Sequence, residues 1–224
     1  VFFAKGGGSD ANVNEQINTL GNHILSQSMK LEANAGNYEF AAYWQNISED
    51  PPLRFITATM NVPDGLWGFS IKNHSLPFVK GFLYEYLNTT DQSGPYHDRD
   101  GIVFGGNDSY YENYLYRSGW TYYSRTIGNP LLTSPIYNAN GSISIQNSRV
   151  QAHHLGLEGD VAGYEYKIMP TISKNYGTYS APYSPMKPNT SFYLNIQKDL
   201  PAFYNIHVDL TAGVDRGNMY GNNL

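Results

Sequence analysis

The feature that most constrains this chain is an alternation of apolar and polar residues with a period of two, sustained over unusually long runs. Between residues 23 and 34 one face reads Leu25, Gln27, Met29, Leu31 and Ala33, and the other Ser26, Ser28, Lys30, Glu32 and Asn34. After a turn at Gly36-Asn37, Tyr38, Phe40, Ala42 and Trp44 oppose Glu39, Ala41, Tyr43 and Gln45. A second hairpin near the C-terminus follows the same rule. Phe192, Leu194 and Ile196 oppose Tyr193, Asn195 and Gln197; beyond the link 198–201, Tyr204, Ile206, Val208, Leu210, Ala212 and Val214 oppose Asn205, His207, Asp209, Thr211, Gly213 and Asp215. Successive side chains of a strand point to opposite sides, so each run has one greasy and one wet face. The last run exceeds the roughly 5–6 residues of an average strand and suits the roughly 9–11 of a tilted membrane strand.

Weaker alternation marks further strands at 1–5, 66–71, 82–88, 149–158 and 164–169, which brings the expected total to nine. Their connections alternate in length. The shorter set is 35–37, 72–81, 159–163 and 198–201, and the longer set is 6–22, 46–65, 89–148 and 170–189. Outer-membrane barrels join their strands by short turns on one side and long loops on the other, which predicts this order. The expected fold is therefore an all-β, antiparallel transmembrane β-barrel with long extracellular loops. A cation at mid-depth on the lipid face costs about 2–4 kcal/mol, so the register is expected to turn Lys30, Glu32 and Asp209 inward.

Composition narrows the function. There is no cysteine, which rules out disulfides and thiolate chemistry, and no apolar stretch reaches the roughly 20 residues of a membrane helix. A formal net charge of -5 without a Lys/Arg cluster argues against nucleic acid as a partner. The 20 Tyr and 10 Phe give an aromatic excess suited to surfaces that are half apolar and half wet. The chain starts inside an apolar run at Val1 and stops at Gly221-Asn222-Asn223-Leu224, so residues 1–224 are expected to form one partial barrel domain cut at both ends.

The most distinctive block is the 89–148 loop, where Asp98, Asp100, Asn107, Asp108, Tyr110, Tyr111, Tyr116, Arg117, Trp120 and Tyr122 are the candidate carbohydrate-binding residues. Aromatic rings offer flat faces to the C–H faces of a sugar, while Asp, Asn and Arg bond hydroxyls or uronic acid groups. The plainer reading is that these rings form an interfacial girdle or pack the loop against itself, part of which then folds inward as a plug. Asp98, Asp100 and Asp108 match a calcium loop only at its first positions, so no metal and no cofactor is expected. His153 and His154 are neighbours in an expected strand and face opposite sides, which suits a shared metal poorly. Catalytic Ser-His-Asp order and phosphate-binding glycine loops are missing, and an enzyme is not expected. Six Asn-x-Ser/Thr sequons begin at Asn46, Asn73, Asn88, Asn107, Asn140 and Asn189 and carry no functional weight here.

Several blocks together resemble a known family. Phe2-Phe3-Ala4-Lys5-Gly6, Leu20-Gly21-Asn22-His23, Tyr43-Trp44-Gln45 with Glu49-Asp50, Gly105 to Tyr111, Gly119-Trp120-Thr121-Tyr122 and His153 to Leu157 followed by Tyr164 are similar to the capsule assembly Wzi family of Bacteroidetes-type bacteria. The resemblance implies the C-terminal half of an outer-membrane barrel of about eighteen strands. It implies a lectin that anchors capsular polysaccharide at the bacterial cell surface, with outer-membrane lipid as the other partner. Two alternatives stand beside it: a porin-like channel, suggested by the inward Lys30, Glu32, Glu39, Glu165 and Asp209, and a soluble β-sandwich carbohydrate-binding domain.

Overall fold

The computed structural model of the chain describes residues 24–49, 64–92, 97–99, 102–104, 109–110, 112, 116–201 and 206–223. Fourteen strands and no helix occur among them: β1 (Ile24–Ala35), β2 (Tyr38–Glu49), β3 (Gly65–Lys72), β4 (Gly81–Asn88), β5 (His97–Arg99), β6 (Ile102–Phe104), β7 (Thr121–Tyr122), β8 (Arg125–Thr126), β9 (Ile136–Tyr137), β10 (Ile143–Ser144), β11 (Val150–Val161), β12 (Tyr164–Gly177), β13 (Pro182–Leu200) and β14 (Ile206–Gly217). Eight of them form one antiparallel sheet in the order β1-β2-β3-β4-β11-β12-β13-β14, and the other six pair as three small hairpins inside the 89–149 connection. Neighbours in sequence are neighbours in the sheet, with the long connection as the one insertion. Among the described residues the sheet is open, with β1 and β14 at its edges. The expected strand at 1–5 and most of the 46–65 loop lie outside the described residues.

Register explains the faces. Met29, Trp44, Trp67, Tyr86, His153 and Ile172 follow one another across six strands, and the adjacent row reads Lys30, Tyr43, Gly68, Glu85, His154, Thr171, Ser191 and Asp215. Because side chains alternate, each strand turns its exposed large apolar residues to one face, and most of its charged residues lie on the other. Each of the eight strands leaves large hydrophobics exposed on the apolar face, among them Leu31, Tyr38, Phe69, Phe82, Leu155, Ile172, Phe192 and Leu210. Lys30, Glu32 and Asp209 share the polar face, as expected, and Lys30 pairs with Glu32 at 2.6 Å. One cavity is lined by Ser26, Gln45, Leu66, Glu85, His154 and Thr171, from six consecutive strands, so the sheet curls around its polar face. Six strands laid flat at roughly 4.8 Å spacing would span about 24 Å.

One expected connection is corrected. The segment 170–189, expected to be a long loop, is almost all strand despite its four prolines: β12 runs to Gly177, β13 starts at Pro182, and residues 178–181 make the link. Two local conditions let proline into these strands. Residues 182–188 extend past the end of β14, which stops opposite Asn189, so their outer side is an edge where an N–H is dispensable. At Pro170 the β11–β12 ladder skips a pair of positions, so no bond to β11 is missed there. The short-long order therefore holds for 36–37, 73–80, 162–163 and 89–149, and fails at 178–181.

The buried apolar cluster sits at one end of the polar face. Tyr110 and Leu132 from the long connection pack on Leu87, Val150 and Ala152 of the sheet, flanked by Ile47, Leu66 and Leu131. All five strand residues belong to the inner rows, so the connection folds over the mouth of the curled sheet rather than away from it.

Candidate functional site

Three features gather at the end of the sheet covered by the long connection: a carboxylate that ties the connection down, an exposed aromatic hairpin, and a cavity beneath both. The first is Asp64, directly before β3 and fully buried. Its carboxylate accepts the amide N–H of Gln92 at 2.7 Å, that of Asp91 at 3.0 Å and the Tyr110 hydroxyl at 2.9 Å. Gln92 adopts the left-handed φ of 52° that lets consecutive amides converge on one anion. Burial pushes the Asp64 carboxyl from its ordinary 3.8 up to about 6, against the pull of its three donors. A second clasp holds the same loop from the far side: Tyr179 donates to Asp91 O at 2.7 Å, and Arg149 lies 4.3 Å over the Tyr179 ring while donating to Thr90 O at 3.0 Å.

The hairpin β7–β8 displays the aromatics. Its tip, Tyr123-Ser124, has positive φ at both residues, 45° and 60°, the signature of the two-residue turn that usually takes Asn-Gly. Non-glycine residues held there cost on the order of 1–3 kcal/mol each, so the chain keeps Tyr123 in a strained pose and 85% exposed. Tyr122 meets it edge to face at 4.5 Å, and the Ser124 hydroxyl reaches the Tyr137 hydroxyl at 3.4 Å, joining the β9 strand to the same surface. Trp120 and Tyr116 are exposed alongside, as is Arg117.

The sequence-derived candidates therefore divide. Tyr116, Arg117, Trp120 and Tyr122 lie together on one exposed stretch. Tyr110 is corrected: it is 1% exposed with its hydroxyl committed to Asp64 and Gln92, so its ring serves the interior and has no face for a sugar. Asp98 is on β5 opposite Val103. Asp100, Asn107, Asp108 and Tyr111 lie outside the described residues. Sequence reasoning missed Tyr123 and Tyr137. The first has the signal Tyr122-Tyr123-Ser124 at a hairpin tip, but nothing in the residue pattern brings Tyr137 to it.

Beneath the connection, the cavity of about 690 Å³ is lined by Ile47, Leu66, Leu87, Leu131 and Ala152 and, on the same strand faces, by polar Gln45, Glu85 and His154. Tyr43, on β2, lies across Gly68 of β3 and donates to the Glu85 carboxylate on β4. This crossbar separates the upper cavity from a lower one of about 680 Å³ lined by Lys30, Glu39, Lys72, Glu158 and Lys167. His153 and His154 face opposite sides, as their adjacency requires: His153 bonds the Tyr84 hydroxyl on the apolar face, and His154 bonds Thr171 on the polar one.

Set against known protein families, curated proteins and solved structures, the chain matches none.

Proposed function

We propose that this chain is part of an outer-membrane β-barrel whose loop-covered end holds capsular polysaccharide at the cell surface without chemically changing it. One observation carries the reading: all eight strands of the sheet turn large apolar side chains to the same face, where they stay exposed, while the opposite face is polar and curled inward. A soluble protein rarely leaves a contiguous apolar surface of this kind uncovered, whereas acyl chains cover it at no desolvation cost. Backbone groups in lipid must all be paired, so on this reading β1 and β14 meet further strands that close the cylinder. The strained, aromatic-tipped hairpin at the loop end supports polysaccharide as the ligand, because it presents several rings and Arg117 to the exterior.

Two measurements test it. The chain has no native cysteine, so single cysteines at Leu31, Phe69 or Leu155 carry a fluorophore without background. Brominated lipid is expected to quench these and to spare labels at Glu32, Ser70 or His154; equal quenching at both sets would refute the membrane reading. Trp120→Ala with Tyr122→Ala is expected to release polysaccharide from intact cells, and unchanged retention would remove the hairpin from the site.

The polar inner rows also favour a second reading, a porin-like channel. The connection lying over the mouth at Leu87 and Ala152 argues for a closed pore. Planar-bilayer recordings separate the two, since a steady open conductance belongs only to the channel.

A further inference from the structure

The upper cavity has a wall structure that the polysaccharide reading does not by itself require. At about 690 Å³ it falls within the roughly 300–1,000 Å³ of small-ligand pockets. Leu66, Leu87 and Leu131 line it together with Gln45, Glu85 and His154, and apolar and polar groups lie side by side: Gln45 pairs across the ladder with Leu66, and Glu85 is two residues from Leu87 on β4. A pyranose ring is mixed in the same way, with an apolar C–H face and a rim of hydroxyls. The polar groups are already oriented: Gln45 donates to Ser26 at 3.2 Å, His154 is held through Nδ1 by Thr171 at 2.6 Å, and Glu85 is fixed by Tyr43. A carboxylate has room for about four donors, and Tyr43 supplies one.

We propose that this cavity is a saccharide subsite that takes a neutral or ammonium-bearing sugar residue and rejects a uronate, with Glu85 as the discriminating group. The inference rests on the polysaccharide reading above and names the sugar class that can reach past the hairpin. Glu85 accepts hydroxyl or ammonium protons and repels a second carboxylate across the same small volume. In the lower cavity Glu32, Glu39 and Glu158 are matched by Lys30, Lys72 and Lys167, with Lys30–Glu32 and Glu158–Lys167 paired, so the discrimination falls to Glu85. The segment Gly128–Leu131, which roofs the cavity, continues directly from the aromatic hairpin, so one glycan chain can touch both.

The test uses the full-length protein in detergent, titrated calorimetrically with tetramers of glucosamine, glucose and galacturonic acid. The glucosamine and glucose tetramers are expected to bind about tenfold or more tighter than the galacturonate. Glu85→Gln, which keeps an acceptor for Tyr43, is expected to bring galacturonate to within about threefold of glucose. Ala152→Phe, which fills the cavity, is expected to weaken both preferred tetramers. If that variant fails to fold, Glu85→Gln alone decides. Three tetramers binding alike, or an affinity order unchanged by Glu85→Gln, would overturn the subsite. Failure of Trp120→Ala with Tyr122→Ala to release polysaccharide would instead overturn the hairpin assignment, so the two ideas fail separately.

Discussion

Asn and Asp side chains at strand ends determine much of the local geometry. In Asn73-His74-Ser75, Asn88-Thr89-Thr90 and Asn140-Gly141-Ser142 the Asn Oδ1 accepts the amide N–H two residues on, at 2.9, 3.3 and 3.0 Å. These are Asx turns, and three of the six sequons are therefore turn signals that end a strand or make a loop corner. Asp64 does more, because it binds a remote loop. Its carboxyl is raised by burial to about 6 from an ordinary 3.8, so the folded state takes up a proton that the unfolded chain still lacks between those values. The resulting stabilisation is fully present below about 4 and is lost as pH rises through about 6. A rise of that size is worth roughly 3 kcal/mol at most. Amide exchange at Asp91 and Gln92, corrected for intrinsic rates, is expected to be slower at pH 5 than at pH 7. Asp91 and Glu112 are raised by burial too and act in the same direction, so Asp64→Asn is expected to remove most of the pH dependence without abolishing it. None of this was legible in the residue pattern. Asp64 reads as one acid in a polar stretch, and only the fold brings Tyr110 to it from 46 residues away.

At the scale of single elements, alternation was a good guide wherever one face is wet and the other is not. β1, β2, β4 and β14 run within a few residues of their expected bounds for that reason. β12 and β13 are longer than expected because both continue through proline-bearing sequence with no clean alternation, and residues 182–188 of β13 lie beyond the end of β14. Two elements carry their own predictions. A Cβ placed on Gly68 would lie 2.1 Å from the Tyr43 ring, so Gly68→Ala is expected to displace that ring and break its bond to Glu85. The expected cost is on the order of 1–3 kcal/mol, read as a lowered midpoint of urea unfolding, with little further loss when Tyr43→Phe is added. In the β7–β8 hairpin, Tyr123→Asn with Ser124→Gly relieves both positive φ values and is expected to slow exchange of the Ile127 amide, which donates to Trp120 O. The same change removes the most exposed ring, so stability and polysaccharide retention should move in opposite directions. Joint improvement would mean that the strained tip is not kept for binding.

For the molecule as a whole, the separation of faces was legible because it repeats in every strand, whereas the packing of the long connection was not, because it rests on contacts such as Leu132 with Leu87 that no short-range pattern encodes. That separation makes the membrane proposal sharply testable with adjacent residues. Phe69 and Ser70 are neighbours in β3, one on the apolar face opposite Ala42 and Tyr84, the other on the polar face opposite Ala41 and Leu83. If lipid covers the first face and water the second, Phe69→Arg carries a guanidinium into hydrocarbon and costs about 2–4 kcal/mol, while Ser70→Arg places the same group near the Tyr43–Glu85 bond in a hydrated lumen and costs little. In a soluble sandwich the order changes, because Phe69 would then press against a second layer and even Phe69→Ala would cost about 3–5 kcal/mol. Refolding of the full-length protein into liposomes across a urea series measures all three variants. A large penalty for Phe69→Arg, with mild effects from Phe69→Ala and Ser70→Arg, is the pattern that only a lipid-facing sheet produces.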